Sequence, residues 1–195
     1  ESTIIVNEMV DELARYLGVE ARVADITRRA MNGEIGFRPA LTERVALLGG
    51  LEQEILEGAC ERIRMTPGAA SLIATARAHG THTVLISGGF EIFSRWVADR
   101  LGFDEHHANA LVLQDGIVTG QVREPLMGRQ GKRAKLEEVA ATLGLDLAAT
   151  LAVGDGANDL DMIAVAGLGV AYHAKPAVAA AADVRIDHGD LTALL

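Results

Sequence analysis

Apolar residues recur at three- and four-residue spacing through the first third of the chain, in Met9, Val10, Leu13 and Leu17 and again in Val23, Ile26 and Ala30. That period gathers them on one face of a helix. A further helix is predicted through Leu41, Val45 and Leu48, and a fourth opens with Leu51, Ile55 and Leu56. Nothing between residues 4 and 65 alternates with the period of two that a half-buried strand needs. From Thr66-Pro67-Gly68 onward the pattern changes, and short β-rich runs at residues 83–86, 150–153 and 168–171 alternate with helical stretches. Such alternation implies parallel strands joined by crossover helices. Between them, residues 111–118 form a candidate hairpin, because Asp115-Gly116 supplies the positive φ angles of a tight turn. The pattern therefore predicts an α/β fold: a doubly wound, Rossmann-like parallel sheet with a helical bundle inserted near its beginning. The bundle covers residues 4–65, and the core takes residues 1–3 and 66–195.

Length and composition agree with that plan. At 195 residues with 49% apolar content, the chain suits one domain or a core domain with an insertion. The formal charge of -9 argues against a general nucleic-acid or membrane-surface binder, which needs a cationic face. An anionic substrate would have to be held by a few placed cations or a metal. The lone Cys60 excludes an internal disulfide and a multi-cysteine metal site, and fits a reducing, cytoplasmic setting. No apolar stretch approaches the roughly 20 residues of a membrane span, and no signal peptide is visible. The first residue is Glu1 rather than Met, which points to a trimmed start. Oligomeric state is not legible.

Three fragments carry chemistry. Residues 154–162, Gly-Asp-Gly-Ala-Asn-Asp-Leu-Asp-Met, follow directly on the apolar run 150–153. They put Asp155 and Asp159 at the carboxyl end of a buried strand, where open α/β sheets build their sites. Oxygen donors there suit a hard cation such as Mg2+, although Gly-Asp-Gly as a plain turn and Asn158-Asp159 as a helix start would leave the same pattern. Ser87-Gly88-Gly89-Phe90 ends a second strand; its hydroxyl and uncrowded amides make either an anion cradle or an N-cap. Lys132 stands near the start of a predicted helix over residues 132–143, where a cation opposes the helix dipole. It is either a functional lysine or a solvated surface one.

Taken together these fragments resemble the haloacid dehalogenase superfamily of aspartate-nucleophile phosphatases and, within it, the phosphoserine phosphatase family, over essentially the whole chain. Its members carry an Asp-x-Asp-x-Thr strand end, then a serine, a lysine and a Gly-Asp-Gly-x-Asn-Asp element. Here the counterparts are Glu1-Ser2-Thr3, Ser87, Lys132 and residues 154–159. The helical stretch is similar to the family's cap in residues 7–13, 30–33 and 43–48, and residues 171–176 look like the loop after its next strand. The departure lies at the front. By alignment the nucleophilic aspartate falls two positions before Glu1, outside the chain together with its strand. Glu1 itself stands where the family usually has aspartate, a methylene longer by roughly 1.5 Å.

The resemblance implies a Mg2+-dependent hydrolysis of O-phospho-L-serine in L-serine biosynthesis through an aspartyl-phosphate. In it Glu1 is the general acid and base. Asp155 and the Glu1 backbone oxygen hold the metal, with Asp159 orienting Lys132 or a metal-bound water. Ser87, the Gly88 amide, Lys132 and Asn158 bind the phosphoryl group. Glu8 and Arg44 face the substrate ammonium and carboxylate, a pairing that charge logic also favours. From sequence alone, Glu8 as a first-turn helix acid and Arg44 as a solvent-facing cation stay equally open. Met31 and Phe37 line the lid or simply pack within the cap, and His173 and Lys175 are read as loop residues. Two other readings remain open: a phosphatase of the same mechanism acting on another small phosphomonoester, and a non-catalytic fragment or paralogue.

Overall fold

The computed structural model describes residues 1–31 and 34–195; Asn32, Gly33 and the Met31 side chain lie outside the described residues. Four helices follow the predicted periodicity: α1 (Met9–Leu17), α2 (Glu20–Met31), α3 (Phe37–Ala46) and α4 (Gln53–Cys60). Helix α1 buries Met9, Leu13 and Ala14 and stops at Gly18, whose φ of 66° lets its N–H cap the Ala14 and Arg15 carbonyls. Helix α3 ends at Ala46, earlier than the apolar spacing predicts, and Leu48 is buried from the turn that follows. The apolar faces of α1, α3 and α4 share one cluster with Phe90, Phe93, Val97, Leu111 and Val118. The helical segment is thus packed onto the following elements. Cys60 is buried within that cluster, and burial pushes its thiol up to about 11.

Beyond it come α5 (Ala69–Ala78), β1 (Val84–Phe90), α6 (Glu91–Leu101), β2 (Glu105–Asn109), β3 (Leu111–Gln114), β4 (Ile117–Val122) and α7 (Arg129–Thr142). The chain closes with β5 (Leu151–Gly154), α8 (Leu160–Val165), β6 (Leu168–Tyr172), α9 (Pro176–Ala181) and β7 (Val184–Ile186). The parallel strands form two ladders, β1 with β2 and β5-β6-β7, while β3 and β4 make the antiparallel hairpin. These are the helices and parallel strands of the expected α/β fold, whose first strand is expected to lie outside the chain. Strands β1 and β5 are not bonded to each other among the described residues, and residues of both border one cavity, in the place expected for the strand ahead of Glu1. The carboxyl ends of β1 and β5 meet at one edge, where a Cβ on Gly88 would lie 3.3 Å from Asn158 Nδ2 and that cavity reaches Ser87 and Asp155.

The hairpin turn has the predicted geometry, with φ of 51° at Asp115 and 77° at Gly116. It also grips the end of the helical segment. Gly50 N–H donates to Val118 O, Val118 N–H to Leu51 O and Gln53 N–H to Gly116 O, each at 2.8 Å. A Cβ on Gly49 would sit 3.6 Å from Gly120 Cα, so the two backbones touch. Among the described residues no helix is long and apolar enough to cross a membrane.

Candidate active site

The phosphate-binding candidates meet where β1 ends. Strand β1 continues to Phe90 and α6 opens at Glu91, so Ser87 is not its N-cap. Instead the Ser87 hydroxyl accepts from the Gly89 N–H at 3.0 Å. Both glycines are needed for close approach. A Cβ on Gly88 would lie 3.3 Å from Asn158 Nδ2, and one on Gly89 would lie 3.1 Å from Glu1 Oε2 and 3.2 Å from Ser87 Oγ. The turn thus carries Asn158 on one flank and the Glu1 carboxyl on the other.

Lys132 lies in the first turns of α7, which begins three residues earlier than predicted, at Arg129. Its ammonium donates to Asp159 Oδ1 at 2.6 Å, with the two side chains only 8% and 6% exposed. It is therefore no solvated surface lysine. Asp159 stands at the N-cap of α8 but makes no capping bond; Oδ2 turns back to accept from the Asp155 N–H at 3.2 Å and the Gly156 N–H at 3.1 Å. That fold-back depends on Gly154, since a Cβ there would lie 2.5 Å from Asp159 Cγ.

Two carboxyls are held in a form that favours protonation. Asp155 Oδ1 accepts from Thr3 Oγ1 at 2.7 Å. Burial raises its pKa and Asp159 adds to the rise, while the Thr3 hydroxyl and Lys132 oppose it. Glu1 Oε1 accepts from the Met9 N–H at 2.8 Å, at the amino end of α1. Burial raises its pKa too, Glu8 reinforces this, and the Met9 N–H works against it. A buried carboxylate pushed upward in this way gains from a cation, and Asp155 presents the hard oxygen that Mg2+ takes. Among the described residues no three His, Cys, Asp or Glu side chains converge. From these residues a cation would draw one carboxylate, completed by carbonyl and water oxygens, a donor set that Mg2+ accepts.

Beside Glu1, Glu8 Oε1 accepts from Ser2 Oγ at 2.7 Å. Arg44 donates from Nε to the Ala40 carbonyl at 3.3 Å and makes no ion pair among the described residues. Phe37 opens α3 and is 37% exposed; a Cβ on Gly128 would lie 2.6 Å from its ring. Next to it Arg38 makes a two-pronged contact with Glu124. The Met31 expectation falls on a side chain outside the described residues. All the other residues singled out for the site border the one cavity. Two contributors have no role assigned from the sequence, Thr3 at the end of the opening motif and Asn109 outside any motif. Thr3 holds Asp155, and Asn109, 1% exposed at the end of β2, bonds both the Gly88-Gly89 turn and Met127. The one sign of Asn109 in the sequence is an amide at the end of an unremarkable polar stretch.

Comparison with known proteins bears on this arrangement. Residues 2–164 match the haloacid dehalogenase-like hydrolase family. The chain is 42% identical over 187 residues to a phosphoserine phosphatase of Streptomyces coelicolor, covering 96% of the chain but 46% of that relative, so it spans about half of the longer protein's length. To a phosphoserine phosphatase of Methanocaldococcus jannaschii it is 40% identical over 195 residues, covering 100% of the chain and 92% of the relative. A solved substrate-bound phosphoserine phosphatase complex superposes with a TM-score of 0.92 at 40% identity, covering 100% of this chain and 92% of that one.

Proposed function

The chain belongs to the haloacid dehalogenase-like hydrolases, and we propose that it is the catalytic part of a Mg2+-dependent phosphoserine phosphatase, with residues 4–65 as the cap that selects the substrate. The observation that carries the reading is that phosphate donors and amino-acid-matching charges border the same cavity. Ser87, Gly88 and Lys132 offer phosphate donors, and Glu8 and Arg44, which makes no ion pair among the described residues, border the same space. Phosphoserine has the matching groups: a dianionic ester, a carboxylate and an ammonium.

The nucleophile is assigned to an aspartate two positions ahead of Glu1, following the family pattern. Its oxygen bonds to phosphorus as the ester P–O bond breaks, and Glu1 gives a proton to the departing serine oxygen. The raised pKa of Glu1 suits a group that must hold a proton until that moment. In the second step Glu1 takes a proton from water as the water oxygen displaces the aspartate from phosphorus. The Ser87 hydroxyl, the Gly88 N–H and the Lys132 ammonium receive the phosphoryl oxygens, and Asp159 holds Lys132 in place. Asn158 lies against Gly88 and adds a donor to the same cradle. Mg2+, held by Asp155 and the Glu1 carbonyl, would supply the positive charge that lets a carboxylate approach a dianionic ester.

Substrate choice is tested at Arg44, in protein carrying the upstream aspartate. Arg44→Ala should cost about 2–4 kcal/mol in kcat/KM for phosphoserine, roughly 30- to 900-fold. Phosphoethanolamine lacks the carboxylate, so it should be a poor substrate for the parent and lose little more in the variant. Equal losses for the two substrates would remove Arg44 from recognition of the amino acid.

A further inference from the structure

Asn109 takes no part in the steps above, yet its side chain spans both halves of the phosphate cradle. Its amide group donates to Gly88 O at 2.8 Å and makes longer contacts to Gly89 O at 3.4 Å and Met127 O at 3.5 Å. Its Oδ1 accepts from the Met127 N–H at 2.7 Å. Gly88 and Gly89 form the turn that presents an amide to phosphate. Met127 lies in the loop that feeds α7, where Lys132 N–H is already bonded to Gly128 O at 2.9 Å. The two segments touch, because a Cβ on Gly88 would lie 3.6 Å from Met127 O. Among the described residues no backbone hydrogen bond joins them. The Asn109 amide is the polar link between the donors on β1 and the lysine on α7.

Asparagine suits this task for a chemical reason. The two segments offer carbonyls that need a donor and an N–H that needs an acceptor, and a short planar amide supplies both within a buried space. Aspartate would set an acceptor against carbonyls, and alanine would leave the Met127 N–H and the Gly88 carbonyl without this partner.

We propose that Asn109 is a positioning residue that holds the Gly88 amide and Lys132 in a fixed relation, so that both close on the same phosphoryl group. The proposal rests on the reading of the site as a phosphatase. Small misplacements of such donors are expensive, since catalysis depends on sub-ångström placement.

The test uses orthophosphate, the product of any phosphomonoester, in protein carrying the upstream aspartate and with Mg2+ present. Calorimetry measures its affinity, and turnover of phosphoserine is measured alongside. Asn109→Ala should lower both by about ten- to a hundredfold, while Val118→Ala, a buried hairpin substitution away from the cradle, leaves both within about twofold at a similar loss of Tm. If Asn109→Ala does no more than Val118→Ala once both are folded, Asn109 is only structural and the inference fails. Asn109→Ser keeps a hydroxyl that can donate or accept and serves if alanine leaves the chain unfolded. Should both Asn109 variants unfold where Val118→Ala folds, the residue serves folding and the inference also fails. A parent that binds orthophosphate and loses that binding in Asn109→Ala, yet does not turn over phosphoserine, would sink the substrate assignment and leave the inference standing. A parent that binds no orthophosphate would sink the inference and the cradle together.

Discussion

Removing the Lys132 ammonium should destabilise the protein far more than its place near a helix start suggests. In Lys132→Ala, Asp159 Oδ1 loses its 2.6 Å partner inside a site where its side chain is 6% exposed. Oδ2 keeps two backbone donors, but at 3.2 and 3.1 Å they are long. A buried charge left in this state costs about 3–5 kcal/mol. With a urea m-value of about 2 kcal/mol/M, the unfolding midpoint should fall by roughly 1.5–2.5 M. The double variant Lys132→Met with Asp159→Leu removes both charges and should be less destabilised than Lys132→Ala alone. Orthophosphate at a hundred times its Kd should stabilise the parent by about 2.7 kcal/mol, a rise in midpoint of roughly 1.4 M, and barely move that of Lys132→Ala. The assay is equilibrium urea unfolding followed by circular dichroism at neutral pH. A shift below about 0.3 M for Lys132→Ala, or a double variant as damaged as the sum of the singles, would refute the reasoning.

Three other outcomes follow from the same geometry. Burial raises the pKa values of Glu1 and Asp155, so their contribution to stability is complete below the ordinary carboxylate range and is lost as pH rises through the raised values. Asp155→Asn should therefore raise the metal-free Tm at neutral pH and abolish the Mg2+-dependent rise that the parent shows; a preserved Mg2+ response would exclude Asp155 as a metal ligand. In protein with the upstream aspartate, Glu1→Gln should lower turnover by about 10²-fold or more, and the parent's rate should fall as pH climbs through the Glu1 pKa; a rate within tenfold of the parent would remove Glu1 as proton donor. Gly128→Ala sets a methyl 2.6 Å from the Phe37 ring, which can swing outward, so KM for phosphoserine should rise several-fold with little change in Tm, and the effect should vanish in a Phe37→Ala background.

The elements legible in the sequence were those whose stability is local. The helices at Met9 and Glu20 announce themselves by period, and residues 151–154 and 168–172 by short apolar runs, the second of them buried from Gly169 to Tyr172. Strand β2 reads Glu-His-His-Ala-Asn and has no strand signature of its own; it exists because Val84, Leu85 and Ile86 offer a parallel partner in register. Strand β7, three residues long, depends in the same way on β6. Side chains that carry charge were visible because carboxylates and lysines are conspicuous at strand ends and helix starts. The 2.6 Å contact between Lys132 and Asp159 was not visible, since 27 residues separate them and only the fold brings them together. Asn109 escaped notice for the converse reason: its partners are backbone atoms, and backbone leaves no mark in a sequence.

The grip of the β3–β4 hairpin on residues 49–53 sets how the helical segment can move. Swinging α1–α3 away while the hairpin stays behind would break the three 2.8 Å backbone bonds at Gly50, Val118 and Gln53 and separate the Gly49 and Gly120 backbones. Hairpin and helices therefore behave as one lever, with the tight seam as its fulcrum. Among the described residues the start of α3 is fastened by side chains, the Phe37 ring on Gly128 and the fork between Arg38 and Glu124, with Arg38 and Glu124 both exposed to solvent. Surface ion pairs of that kind contribute little and weaken with salt. The start of α3 is thus the weaker of the two attachments, and what holds it there is chiefly the Phe37 ring on Gly128.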